Sequence, residues 1–262
     1  MARVTKSDGV DALSPSRNRP LRRSKTAMVV AQKLVGEISD NDYPAGTKLP
    51  PEREMLETFE VGRGTLRESL RFLEMNGVIT VKPGPGGGPV VGMPNAHDLA
   101  STLGLFLDLR RTNFGAILEV RQVLEPAVAG MAAQRQDKAS IAALLDSVQA
   151  MNDNVDDLAA FLRENERFHH MVAAAANNPV FSLLLGSLDS IADGARIGIH
   201  FPLERRRAVA KAHERIADAI ARGDAVAATA EMSSHVDAFR RYVKKHHPDA
   251  ETSRIRWSDV AP

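Results

Sequence analysis

Residues 49–91 read LPPEREMLETFEVGRGTLRESLRFLEMNGVITVKPGPGGGPVV, and the punctuation of this stretch sets the fold. Pro50 and Pro51 stop any earlier helix, and Pro51 can open the next because a first-turn residue needs no amide hydrogen. A short helix to about Thr58 is expected, then a turn at Glu60–Gly62 and a second helix from about Gly64 to Met75. Asn76-Gly77 closes that helix as a left-handed C-cap would. VITV and PVV then read as two short strands around the loose turn KPGPGGG. Upstream, Ala27, Val30, Ala31, Leu34, Val35 and Ile38 form a one-sided helical stripe, and SDNDYPAG ends it with turn chemistry. Helix, helix, turn, helix and hairpin make a winged helix-turn-helix.

The third helix divides into two faces. Leu66, Leu70 and Leu73 share the inward one, and Arg63, Arg67 and Arg71 recur every four residues on the other. Taken singly, each arginine reads as a solvated surface charge. Together, on a helix between a tight turn and a hairpin, they suit entry into a DNA major groove. There a guanidinium grips phosphate or bonds guanine through two N–H groups. Thr65 adds a hydroxyl at the helix start, where phosphate meets free backbone N–H groups. The glycines at 84 and 86–88 let a wing approach a groove closely.

Charge is spread unevenly. Residues 1–92 carry 14 Lys/Arg against 11 Asp/Glu, and the remainder 20 against 22. Residues 1–25 hold seven of those basic groups and two acidic ones, with RNRPLRRSK at 17–25. A basic flexible arm over 1–25 can hold a polyanion or serve simply as a soluble tail. The chain has no cysteine, which excludes disulfides and thiolate metal sites. Apolar runs such as MVAAAA, from Met171, are too short to span a bilayer, and the N-terminus lacks an apolar signal core. A cytoplasmic location without a membrane partner is expected.

The stretch 26–92 resembles the DNA-binding domain of the GntR family of bacterial transcription factors, on LPPERE, VGRGTLRESLRFLEMNGVI and the glycine-containing hairpin. The resemblance implies DNA contacts from Arg53, Arg63, Thr65, Arg67 and Gly84. Two positions depart from the family pattern. Gly62 stands where Ser or Thr usually caps the recognition helix, and Gly64 replaces a residue that often contributes a side-chain contact. Gly still serves as an N-cap at small cost.

After the linker GMPNA at 92–96, apolar periodicity predicts helices near 97–108, 113–135, 138–152, 156–175, 179–194, 204–222 and 225–246. The expected domain, 98–247, is an all-α bundle of six or seven helices, followed by a tail over 248–262. One histidine on a helix face is more often packing than ligand. Three here share a geometric argument. Arg222-Gly223-Asp224 is short enough to force an antiparallel hairpin. It sets His213 and His235 at nearly the same level, roughly 15 Å from the turn. His169 supplies a third imidazole if its helix packs against that hairpin, and Asn165 lies one turn before it. Three imidazoles and an oxygen suit Zn²⁺ or a similar divalent ion such as nickel or manganese. His170 points elsewhere and reads as packing or surface. Arg121 lies among Ile117, Leu118, Val120, Val123 and Leu124. An inward guanidinium needs an anion, either Glu119 or Glu125 within the chain or a bound carboxylate.

Residues 98–247 are similar to the FCD-type effector-binding domain of the FadR subfamily. The similarity rests on EVRQVLEP at 119–126, NERFH at 165–169, NNP at 177–179, KAHERIADAIARGD at 211–224 and SSHVDAF at 233–239. Metal-binding members use an Asp and three His at these places. The resemblance therefore implies His169, His213 and His235 as ligands, position 165 as the fourth, and Arg121 as facing the effector. This chain carries Asn165 instead of Asp, a neutral and weaker ligand, with Glu166 a possible substitute. The expectation is a dimeric regulator, most often a repressor in this family. It would bind a near-palindromic DNA operator and respond to a small organic acid at a metal site. One alternative is a metal-free bundle sensing a larger ligand such as an acyl-coenzyme A. A remote alternative is a metal-dependent hydrolase, for which only Glu166 lies near enough to act as base.

Overall fold

The structure, a computed structural model, describes residues 19–84, 86–192 and 198–260. It forms two compact units that meet in sequence at Met93–Pro94. The basic arm expected over 1–25 lies outside the described residues up to residue 18. From Arg19 the chain is already helical, since Pro20 falls in the first turn, where proline is tolerated.

The first unit runs α1 (Arg19–Asp40), α2 (Glu52–Thr58), α3 (Arg63–Met75), β1 (Ile79–Lys82) and β2 (Gly88–Val91). Val30, Ala31 and Leu34 of α1 pack with Met55 of α2 and with Leu66, Leu70 and Leu73 of α3. Ile79 and Val91 close the cluster from the hairpin. Burying each leucine contributes about 1.5–3 kcal/mol. The buried hydroxyl of Ser69 donates to Ala27 O at 2.8 Å, which ties α3 to α1. At the end of α3, Gly77 sits at φ 69°, and Val78 N donates to Leu73 O at 2.9 Å. The strands are antiparallel, with Thr80 opposite Val90. In the wing, a Cβ on Gly87 would lie 2.2 Å from Lys82 O, so only glycine fits.

The second unit is helical: α4 (Ala96–Leu109), α5 (Phe114–Arg135), α6 (Lys138–Asp153), α7 (Leu158–Ala175), α8 (Pro179–Ile191), α9 (Leu203–Ala221), α10 (Ala225–His246) and α11 (Pro248–Thr252). Asn95, Asn113, Asp137, Asp157, Asn178 and Asp224 each accept a backbone N–H at a helix start. This is why the breaks fall where the sequence places them. The bundle core gathers Val128, Leu144, Phe168, Ile216, Ile220 and Met232 from the inner sides of five helices, α5, α6, α7, α9 and α10. Gly223, at φ 72°, turns α9 into α10.

Residues 248–260, expected as a tail, are built into this unit. Ile255 N donates to Thr112 O and Phe114 N to Ser253 O, both at 3.0 Å. Arg254 pairs with Asp108 at 2.7 Å, and Val260 is buried beside Gly104. The segment has no long apolar period. It docks through these individual contacts, which periodicity does not reveal. Among the described residues, no helix is long and apolar enough to cross a membrane.

Candidate metal centre and nucleic-acid interface

On the first unit, α3 presents Arg63, Arg67 and Arg71 to solvent, opposite the buried leucines. Thr65 is half-buried in its first turn. Gly62 is the N-cap and makes no side-chain cap bond, so the first-turn amides of α3 lack an intrachain hydroxyl. Arg53 is nine-tenths exposed on α2 and lies 3.6 Å from Glu57. Arg67 lies 3.4 Å from Glu52. Both pairs are exposed and weak, so a phosphate can displace them. Gly84 sits in the wing at φ 92°.

The second unit holds a cluster of imidazoles. α7 supplies His169, α9 His213 and α10 His235, all buried. One ring nitrogen from each lies within 4.8 Å of the other two. Nε2 of His213 and Nε2 of His235 are 3.3 Å apart. Two nitrogens bound to one tetrahedral zinc at ~2.0–2.1 Å would be about 3.3–3.4 Å apart, so the pair fits an ion's coordination edge. Phe168 stacks on the His213 ring at 3.7 Å between centroids and fixes its plane. Burial, then the neighbouring imidazoles, push His213 and His235 below the ordinary histidine range, His235 to about 3. Both are therefore neutral at pH 7, the form that binds a metal.

Behind the cluster lies a network of charges. His169 Nδ1 is 2.8 Å from Glu125 Oε2, although its N–H is not aligned for a good hydrogen bond. The other carboxylate oxygen of Glu125 accepts from Arg121 Nε, and Arg121 Nη2 lies 3.4 Å from Asp189. Burial alone would raise the Glu125 carboxyl; Arg121 and His169 outweigh it and hold it below the usual range. Asp189, more distant from the same guanidinium, is pushed up by burial. Arg121 thus has the intrachain partner Glu125 that the sequence allowed, and a second partner, Asp189, that it did not indicate.

A cavity of about 330 Å³ opens beside the cluster. Its wall includes His169, His235, Asn165, Glu166 and Arg121. Asn165 is half-buried there and Glu166 is exposed. His170 does not line it: its ring lies against Gly186. Phe201, Val209 and Phe239 give the wall an apolar side. Asp189 and Arg205, which both line the cavity, escaped the sequence reading, as did the contact of Glu125 with His169. Asp189 carried a faint signal, as an isolated carboxylate on an otherwise apolar helix near a glycine.

The family comparisons agree with this architecture. Residues 26–87 match the family model described as bacterial regulatory proteins, gntR family, and residues 116–238 match the FCD domain. The chain is 29% identical over 232 residues to the uncharacterized HTH-type transcriptional regulator YcbG of Bacillus subtilis (strain 168), covering 86% of this chain and 93% of that protein. It is 28% identical over 227 residues to the HTH-type transcriptional repressor NanR of Enterobacter sp. (strain 638), covering 85% and 86%. Among solved structures, Streptococcus agalactiae GntR superposes with a TM-score of 0.67 at 27% identity, covering 82% of this chain and 99% of that one. Winged helix-turn-helix, helical bundle and both family models converge: the chain is a DNA-binding transcriptional regulator, not an enzyme, and belongs to the GntR family, FadR subfamily, with an N-terminal GntR helix-turn-helix and a C-terminal FCD domain.

Proposed function

We propose that this regulator is a cytoplasmic repressor that binds a near-palindromic operator as a homodimer. A small carboxylate metabolite, bound at a divalent metal in the helical domain, releases or alters that binding. The observation that carries this reading is the buried three-histidine cluster opening on a cavity. His169, His213 and His235 would hold the ion, zinc before nickel or manganese, with Asn165 as a neutral fourth donor. The metal would supply a Lewis-acid site for a carboxylate oxygen. Arg121 lines the same cavity, and Glu125 and Asp189 occupy its Nε and Nη2. Among the described residues no ion pair takes Nη1, which leaves it for a ligand. On the DNA side, Arg53, Arg63, Thr65, Arg67 and Gly84 would make the operator contacts.

Fluorescence anisotropy with DNA from upstream of the regulator's own coding sequence tests the reading. The metal-loaded protein should bind that DNA, and one or more small acids should change the affinity. His213→Ala should bind DNA normally and ignore the acid. A His213→Ala response equal to wild type would sink the metal reading and favour a larger ligand, such as an acyl-coenzyme A, bound without an ion.

A further inference from the structure

The cavity carries a second cation besides Arg121. Arg205 lies on α9 two turns before His213, roughly 12 Å along the helix axis. Arg205, Val209 and His213 recur every four residues, so they share one face. Arg205 and Val209 both line the cavity. The Arg205 guanidinium is seated over the ring of Tyr242, 4.9 Å from the centroid. Tyr242 is itself anchored by its hydroxyl, which donates to His200 O at 2.7 Å.

What distinguishes Arg205 is its charge balance. Arg121 is matched by two carboxylates. Among the described residues, no carboxylate lies within ion-pair distance of Arg205, and its buried Nε has no hydrogen-bond partner. Burial and the nearby Arg241 both work against its charge, yet a guanidinium stays protonated. A half-buried cation on a cavity wall, with no carboxylate partner among the described residues, is stabilised by an anion that enters the cavity.

We propose that Arg205 is a second anion-binding residue of the effector cavity. The effector is then a small acid with two anionic groups, one for the histidine end of the cavity and one for the Arg205 guanidinium. This rests on the reading of the cavity as the effector site, and it narrows the ligand class. A short monocarboxylate would leave Arg205 unmatched.

Calorimetry on the full-length, metal-loaded protein tests this with acids paired by chain length: butyrate with succinate, valerate with glutarate, hexanoate with adipate. Glycerate and 3-phosphoglycerate form a fourth pair, which separates a carboxylate from a phosphate as the second group. In wild type, at least one diacid or phosphorylated acid should bind about tenfold tighter than its partner, the yield of a charge-assisted hydrogen bond. In Arg205→Gln and Arg205→Ala the preference should collapse, with metal content unchanged, and Arg205→Lys should keep part of it. No preference in any wild-type pair overturns the proposal, and so does an equal preference in wild type and the Gln and Ala variants. A lower melting temperature with the preference intact would mean that Arg205 only packs on Tyr242. Elemental analysis of the same samples keeps the two claims apart. A wild type without metal that still prefers the doubly charged acid through Arg205 contradicts the metal reading and leaves this one standing.

Discussion

Oε2 of Glu125 lies 2.8 Å from Nδ1 of His169, so a buried carboxylate on α5 stands directly behind an imidazole of the metal candidate. A carboxylate at this distance, once the ring turns its N–H onto it, fixes the ring and raises its basicity toward an ion on the opposite nitrogen. Glu125→Gln should therefore weaken metal binding about 10–100-fold while leaving DNA affinity unchanged. Competition with a fluorescent chelator measures the first and anisotropy the second. Unchanged metal affinity would mean that Glu125 serves only Arg121.

The same carboxylate is half of a buried ion pair. Arg121→Ala would leave Glu125 and Asp189 without their cation, at a cost of about 3–5 kcal/mol. Urea denaturation of the metal-free protein checks this. Arg121→Met with Glu125→Leu should recover most of the loss, because the uncompensated charge at Glu125 goes with the partner.

Asn165 faces the cavity that His169 and His235 line. A carboxylate there would add a charged donor, so Asn165→Asp should tighten zinc binding by about tenfold or more. The chelator competition reads it directly. An unaltered dissociation constant would place residue 165 outside the coordination sphere and make Glu166 or water the fourth donor.

Protonation gives a further test in metal-stripped protein. Burial and mutual repulsion hold His213 and His235 below the ordinary value, His235 at about 3. In the unfolded chain each takes a proton near pH 6.5. Below about pH 6.5 the unfolded chain thus binds more protons, and stability falls as pH falls, by about 1.4 kcal/mol per pH unit for each imidazole. The window opens near pH 6.5 and extends toward 3. Urea midpoints at pH 7, 6 and 5 should decline in wild type (about that slope per imidazole) and flatten in a His213→Asn, His235→Asn double variant. Parallel curves for the two proteins would show the imidazoles to be hydrated.

Arg63 and Arg67 are exposed on one face of α3, and Arg53 on α2. Alanine at Arg63 or Arg67 should cost about 1–3 kcal/mol of operator affinity if it removes a base contact. A residue that touches only phosphate, the expectation for Arg53, should weaken all sequences alike and reduce the salt slope by about one. Salt titrations on operator and unrelated DNA separate the cases. Wild-type affinity in all three variants would remove α3 from the interface.

Much of this architecture could be read locally. Proline, glycine and Asx residues mark helix ends by their own backbone chemistry, so Asn76-Gly77 and Gly223-Asp224 were legible. From the second pair alone, the level of His213 with His235 followed, and the structure sets their Nε2 atoms 3.3 Å apart. What escaped was tertiary. Asp189 reaches Arg121 from a helix 68 positions further along, and no periodicity encodes that meeting. Arg205 reads in sequence as one of three consecutive surface arginines; only the cavity and the Tyr242 ring single it out. Residues 248–260 lack an apolar stripe, so their docking through Ile255, Arg254 and Val260 was invisible.

In the proposed function, His169, His213 and His235 hold an ion. Elemental analysis of purified, tag-free protein beside His213→Ala tests it most directly. About one zinc, nickel or manganese per chain is expected in the wild type, lost in the variant while its helical content persists. A wild type that takes up none of these ions after incubation with each would contradict it, and would make the three imidazoles hydrogen-bonding groups of a metal-free cavity.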